Sequence, residues 1–321
     1  MSTPSAPSQR PASDDAPPDA AVNGSPSLGG PTADDLVVEA RDLTLRFGGV
    51  TSLGGVSLRQ RRGEILAVIG PNGAGKTSLF NCLTGAYKPQ EGSVHFAPTP
   101  EKSYSIVGKT PHSITKLGVA RTFQNIRLFP ALSALENVQI GAETRQRHGA
   151  FGAIFGSPRA RREDRAGIAR SVELMRLVGL DHRLHELSSS LPYGEQRRLE
   201  IARALATEPK LLLLDEPAAG TNPSEKLELA GLIRRISETG VSVLLIEHDM
   251  RLVMSVAASV VVLNFGQVIA HGTPAEVQRD PAVIEAYLGA QDTETQNTEI
   301  QNGETQNAEP AAAPATGKDL A

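Results

Sequence analysis

The stretch Ile65-Leu66-Ala67-Val68-Ile69-Gly70-Pro71-Asn72-Gly73-Ala74-Gly75-Lys76-Thr77 decides the fold. Its aliphatic run, closed by glycine, suits a short strand buried on both faces of a parallel sheet. Gly70–Thr77 then has the spacing G-x-x-x-x-G-K-[ST] of a phosphate-binding loop. Glycines let the backbone curl so that successive N–H groups converge on an anion. Ser78–Thr84 reads as the following helix, whose N-terminus adds about half a positive charge. Lys76 would reach the β and γ phosphates of a nucleotide, and the Thr77 hydroxyl would hold Mg²⁺, which prefers oxygen ligands. Gly70, Pro71, Asn72, Gly73, Ala74, Gly75 and Ser78 complete the nucleotide-contacting stretch. A glycine-containing turn matches this pattern by chance at roughly the percent level in a chain of this length. The strand before it and the helix after it lower that further.

Outward from the loop, the pattern is α/β. Leu36 to Phe47 alternates apolar residues as a half-buried strand does, while Leu211–Leu214 and Val243–Ile246 are apolar runs that end at acids. Ile201–Thr207 and Glu225–Ile236 carry helical periodicity. Ligands of such sheets bind at the C-terminal strand ends, and the chemically capable residues cluster there. Asp215 closes the Leu211–Leu214 run and fits an acid that holds Mg²⁺. Glu216, next in line, could polarise an attacking water as general base. The bland reading of the pair is an N-cap for the next helix, which Pro217 also suits. Gln124, in Arg121-Thr122-Phe123-Gln124-Asn125, could ligate Mg²⁺ and contact the water; alone, it is a plain surface amide. His248 follows a strand and could bond a γ-phosphate, although a lone histidine is more often structural. From about Asn125 to Ser190 the strand runs vanish; this reads as a helical subdomain, with a long Gly/Arg-rich loop at 141–166.

The formal charge is −4; residues 1–34 carry −3 and residues 291–321 carry −5, so the middle is +4 without a concentrated basic patch. That argues against nucleic acid as the partner. The N-terminal 34 residues are rich in Pro, Ser, Ala, Asp and Gly, and the tail repeats TETQN, TEIQN and GETQN over Thr293–Asn307. Both ends are expected to be disordered, leaving 35–290 as the folded domain. No apolar run reaches the roughly 18 residues of a membrane span, no signal-peptide core is present, and Cys82 is the single cysteine. A reducing compartment fits. The seven histidines show no zinc spacing; His182 and His185 could share a helix face, most simply as solvated residues.

In order along the chain, Gly70–Thr77, Gln124, Leu191–Gln196, Leu211–Glu216 and His248 resemble the ATP-binding cassette family over about residues 36–289. The resemblance implies a P-loop NTPase fold: a mostly parallel central sheet, an N-terminal antiparallel β subdomain and an inserted helical subdomain at about 125–200. It implies ATP hydrolysis with Mg²⁺, adenine stacked on Phe47, and a head-to-tail pair in which each ATP meets the partner's signature motif. That motif reads Leu191-Pro192-Tyr193-Gly194-Glu195-Gln196, where the family commonly has Leu-Ser-Gly-Gly-Gln. Pro192 offers neither hydroxyl nor N–H, while Gly194 keeps its N–H. Asn222 stands where the family usually has the Asp of its inter-subunit loop. Gly118–Phe129, Leu191–Ala206, Asp215–Pro223 and Gly272–Gly289 look like the larger ATPase of high-affinity branched-chain amino-acid importers. Related branches drive urea uptake or lipopolysaccharide export. The importer branch implies two integral-membrane permease subunits, a second and different ATPase subunit, an extracytoplasmic binding protein, and a place at the cytoplasmic face of the membrane. Leu128, Phe129, Leu132 and Leu135 would lie by the permease groove, with Phe129 partly exposed. A soluble cassette acting on DNA or ribosomes would carry two cassettes or long coiled coils, and neither is present. A non-hydrolysing regulatory subunit is opposed by Glu216 and His248.

Overall fold

The structure, a computed structural model, describes residues 35–143 and 158–287, without the side chains of 158–164. The terminal tails and residues 144–157 of the Gly/Arg-rich stretch lie outside the described residues.

Two sheets face each other. β1 (Leu36–Phe47), β2 (Val50–Arg61), β4 (Glu91–Thr99) and β5 (Lys102–Ser105) form an antiparallel sheet in the order β2-β1-β4-β5. β3 (Ile65–Ile69), β6 (Val119–Arg121), β7 (Leu211–Asp215), β8 (Ser242–Ile246), β9 (Ser259–Asn264) and β10 (Gln267–Gly272) form the second, in the order β10-β9-β3-β8-β7-β6. All of its pairs are parallel except β10 on β9.

The continuous apolar runs have a simple cause. Successive strand side chains point to opposite faces. Leu211, Leu213, Leu244 and Ile246 pack towards the antiparallel sheet, with Leu79, Phe80 and Leu83 of α1 (Lys76–Leu83) in the same core. Leu212, Leu214, Val243 and Leu245 pack on the other face, against helices. With both faces covered, neither can be polar.

On that second face lie α5 (Tyr193–Leu205) and α6 (Pro223–Glu238), which supply Leu199, Ile201, Leu229, Leu232 and Ile233. α3 (Ala134–Glu143) and α4 (Pro158–Leu177) add Val138, Leu174 and Met175 to the same core. Shorter helices cover other edges: α2 (Pro111–Leu117), α7 (Met250–Val256) and α8 (Pro274–Val277). The loop expected over 141–166 is corrected at both of its ends. α3 runs through Glu143, and α4 begins at Pro158. Proline is pre-set for a helix's first turn, and Arg, Ala and Glu are good helix formers, so arginine density there suits a helix rather than a loop. His182 lies in a 3-10 turn, Asp181–Arg183, and His185 just beyond it; both are exposed and share no α-helical face.

α3 crosses α5 at Gly141. A Cβ there would meet the Arg203 carbonyl oxygen at 2.3 Å and the Ala206 Cβ at 3.0 Å. Gly141→Ala is therefore expected to destabilise the protein by about 1–3 kcal/mol, as overpacking does. A urea-unfolding midpoint equal to that of the wild type would show that the crossing has room to spare.

Candidate functional site

β3 delivers the chain into the glycine loop, and packing explains the glycines. Gly70 has φ +149°, and a Cβ on it would sit 2.1 Å from the Leu263 carbonyl oxygen. Gly75 has φ +102°, and its Cβ would sit 2.6 Å from the Ser52 oxygen. The turn between β9 and β10 braces the loop: Gly266 N–H donates to the Ala74 carbonyl at 3.0 Å, and Gly54 N–H donates to the Gly266 carbonyl at 2.8 Å. Ser52 and Ser78 share a hydroxyl bond of 2.7 Å that ties β2 to α1. α1 starts at Lys76 with no side-chain cap, so its first N–H groups are left for an anion. The Lys76 ammonium is buried and donates to the carbonyls of Gly70 at 2.7 Å and Pro71 at 2.9 Å. Burial lowers its pKa, against the attraction of Glu216 and Asp215. Phosphate oxygens would bond it more strongly than these neutral carbonyls do.

The strand ends bring two expected residues together. Gln124 Nε2 donates to Glu216 Oε2 at 3.0 Å. Gln124 lies in an irregular loop between β6 and α3, not at a direct strand-to-helix junction. Glu216 leaves β7 with φ +46°, and its N–H donates to the Ile246 carbonyl at 3.0 Å. Asp215 is buried, and its Oδ2 accepts from Arg121 at 2.6 Å; Arg121 also donates to Asn81 Oδ1 at 2.6 Å. That guanidinium lies 5.5 Å from the ring centres of both Phe80 and Phe123. His248 follows β8 with its side chain 61% exposed, and no hydrogen bond joins it to Glu216 among the described residues.

Glu247 was missed as a site residue, although an acid closing an apolar run was the available signal. It is fully buried. Oε1 accepts from Ala218 N–H at 2.8 Å, and Oε2 accepts from the N–H groups of His248 at 3.1 Å and Asp249 at 3.3 Å. Burial raises its carboxyl pKa, opposed by those bonds. It thus staples the turn after Glu216 to the turn that carries His248.

Phe47 ends β1 half-exposed, and Tyr87 packs edge-on against it with ring centres 5.2 Å apart. Pro192 is the N-cap of α5 and caps nothing with its side chain; Gln196 Nε2 donates back to the Leu191 carbonyl at 2.8 Å, and Glu195 lies 3.5 Å from Arg183 Nε. Gly194 leaves room for the Glu225 carboxylate, and the Tyr193 ring covers Gly220. Asn222 caps α6, closing a reciprocal capping box with Glu225. Its substitution for Asp therefore keeps the cap.

Could these residues take a nucleotide and Mg²⁺? The loop is a cradle that a Cβ would fill, with an ammonium inside. Thr77, Gln124 and Asp215 are oxygen donors of the kind Mg²⁺ uses. Among the described residues no cluster of three His, Cys, Asp or Glu side chains is placed to hold a metal. A divalent ion here would need phosphate oxygens and water to complete its shell. The donor set fits Mg²⁺–nucleotide.

Known proteins similar to this chain identify its family. The family model described as ABC transporter matches residues 53–219, and the one described as Branched-chain amino acid ATP-binding cassette transporter matches residues 267–293. The chain belongs to the ABC transporter ATP-binding family, whose cassettes hydrolyse ATP. Among its relatives is the high-affinity branched-chain amino acid transport ATP-binding protein BraF of Pseudomonas aeruginosa, 43% identical over 79% of this chain and 98% of that protein. LivG of Escherichia coli K12, described in the same terms, is 40% identical over 79% and 98%. Among solved structures, the ADP conformation of an ATP-binding cassette of an ABC transporter superposes with TM-score 0.68 at 28% identity, covering 79% of this chain and 99% of that one.

The Lys76 burial makes a signed prediction. A lysine whose pKa is lowered on folding binds fewer protons in the folded than in the unfolded chain. Stability then rises with pH from the lowered pKa up to the ordinary 10.5. The urea-unfolding free energy of nucleotide-free wild type, measured relative to Lys76→Met, should climb as pH is raised towards that value. A flat or falling difference would refute the buried-ammonium assignment.

Proposed function

We propose that this chain is an ATP-hydrolysing subunit that energises an importer of branched-chain amino acids. The observation that carries the hydrolytic part is the Gln124–Glu216 hydrogen bond beside the Lys76 loop. It sets a carboxylate and an amide where a water attacking the γ-phosphate would be held. In this reading Glu216 polarises the water, while Lys76 and His248 stabilise the charge that spreads over the transferred phosphoryl group. In this reading the exposed His248 ring turns towards the phosphate when nucleotide binds. Thr77, Gln124 and Asp215 would hold Mg²⁺, which neutralises phosphate charge. Phe47, backed by Tyr87, offers the adenine platform, and residues 191–196 complete the ATP site of a second cassette. In this reading the helical subdomain spans about residues 125–200 of the 35–290 domain.

The substrate class is supported by the match at 267–293 and by the relatives' descriptions. ABC ATPase subunits of importers work with membrane permeases. In this reading there are two permease subunits, a second cassette ATPase and an extracytoplasmic binding protein, with this chain peripheral at the cytoplasmic face. No described helix is long and apolar enough to cross a membrane. Phe129, 47% exposed, offers the permease an apolar contact, while Leu128 and Leu135 are partly buried against the helical core.

Glu216→Gln should lower kcat by at least about 100-fold, as loss of a general base does, with ATP affinity within about threefold. Normal turnover in that variant would refute the assignment. Phe129→Ala should reduce the permease recovered with this subunit from detergent-solubilised membranes; undiminished recovery would remove Phe129 from the interface. Uptake of labelled leucine, isoleucine and valine by cells lacking this subunit tests the substrate class, and unaltered uptake of all three would overturn it.

A further inference from the structure

One face of α5 grips the loop that carries Gln124. Arg197 Nη1 donates to the Phe123 carbonyl at 2.6 Å, and Nη2 donates to the Gln124 carbonyl and, at 2.9 Å, to the Tyr193 hydroxyl. Glu200 Oε1 accepts from Arg127 N–H at 3.4 Å, and Arg203 donates to the Arg127 carbonyl. Residues 197, 200 and 203 are three apart and so share a helix face. Arg197 and Glu200 are 4% and 1% exposed, and their side chains approach to 3.6 Å. Burial pushes the Glu200 carboxyl up and the Arg203 guanidinium down, against their mutual attraction.

Such a buried ionic group is weak as a source of stability, because apolar side chains of similar volume often do as well. Apolar side chains, however, could not hold main-chain groups at residues 123, 124 and 127. The Pro192–Gly194 segment forms the N-terminal end of α5, one turn before Arg197.

We propose that Arg197, seconded by Glu200 and Arg203, is a positioning residue that couples Gln124 in this subunit's own ATP site to the signature segment presented to the partner's site. The inference rests on the proposed roles of Gln124 and of residues 191–196. When Gln124 shifts on meeting phosphate, its carbonyl shifts too, and Arg197 makes that displacement common to the loop and the first turn of α5. Pro192 supplies no hydroxyl, so the placement of this segment depends on backbone position. The position of α5 then determines how well the second site closes, which is a coupling between two distinct sites through one element.

The test uses the complete transporter purified from its native membrane, with this subunit as wild type, Arg197→Met, Gln124→Ala or the double variant. Arg197→Met should leave ATP affinity of the isolated subunit within about twofold and lower kcat of the complex about tenfold, within the usual range of coupling. The double variant should be no slower than the slower single variant, because both substitutions break one link. Arg197→Lys keeps the charge without the two-pronged fork and should fall between wild type and Arg197→Met; if Arg197→Met fails to fold, the same cycle is run with the lysine. Wild-type turnover in the Arg197 variant, or losses that multiply in the double, would overturn the coupling. Unchanged hydrolysis in Gln124→Ala alone would instead overturn the assigned role of Gln124.

Discussion

One backbone hydrogen bond organises the polar half of this molecule: Glu216 N–H to the Ile246 carbonyl, at 3.0 Å. It extends the β7–β8 ladder, in which Asp215 already faces Ile246. Below it, every side chain of both strands is buried. Above it the chains diverge, and the next residues are Glu216 and Glu247. Because the ladder is in register, the Glu247 carboxylate reaches Ala218 N–H in the turn that follows β7. A slip of one residue would turn every side chain to the opposite face and would bury Glu216.

The charged groups near that point are held by named partners rather than left in solvent. Asp215 has Arg121, Lys76 has two carbonyls, Glu247 has three N–H groups, and Arg197 has two carbonyls and a hydroxyl. In a buried setting an unpartnered charge is costly, so each has one defined place. Preorganisation of this sort lets dipoles and charges act on a reacting group without first rearranging. His248 is held less closely: its side chain is 61% exposed and its Nδ1 lies 3.9 Å from Glu247 Oε2.

Much of this was readable from the residues. The runs at 65–69, 211–214 and 243–246 announced the buried strands, since only a sheet covered on both faces needs such sequences, and the glycine spacing announced the loop. What stayed hidden is long-range. Arg121 stood in plain sight three residues before Gln124, yet nothing local pairs it with Asp215, 94 residues away. Glu247 read only as the acid that ends an apolar run, because one of its three partners, Ala218 N–H, lies 29 residues away beyond the end of β7. The α4 helix was obscured because arginine-rich sequence with scattered glycine reads as irregular, whereas the helix gains its stability from Leu174 and Met175 in the shared core. The position of Asn222 suggested a lost acid; the capping box with Glu225 shows what the amide retains.

Glu216 sits at φ +46°, a region that side chains other than glycine, asparagine and aspartate seldom occupy and that costs on the order of 1 kcal/mol. Glycine would relax that residue, and asparagine would fit it better. Selection for robustness alone would thus drift this position away from glutamate, and, under the role proposed for Glu216, a library screened only for heat resistance would enrich inert proteins. Under the role proposed for Glu216, the carboxylate at this strained position serves turnover rather than stability.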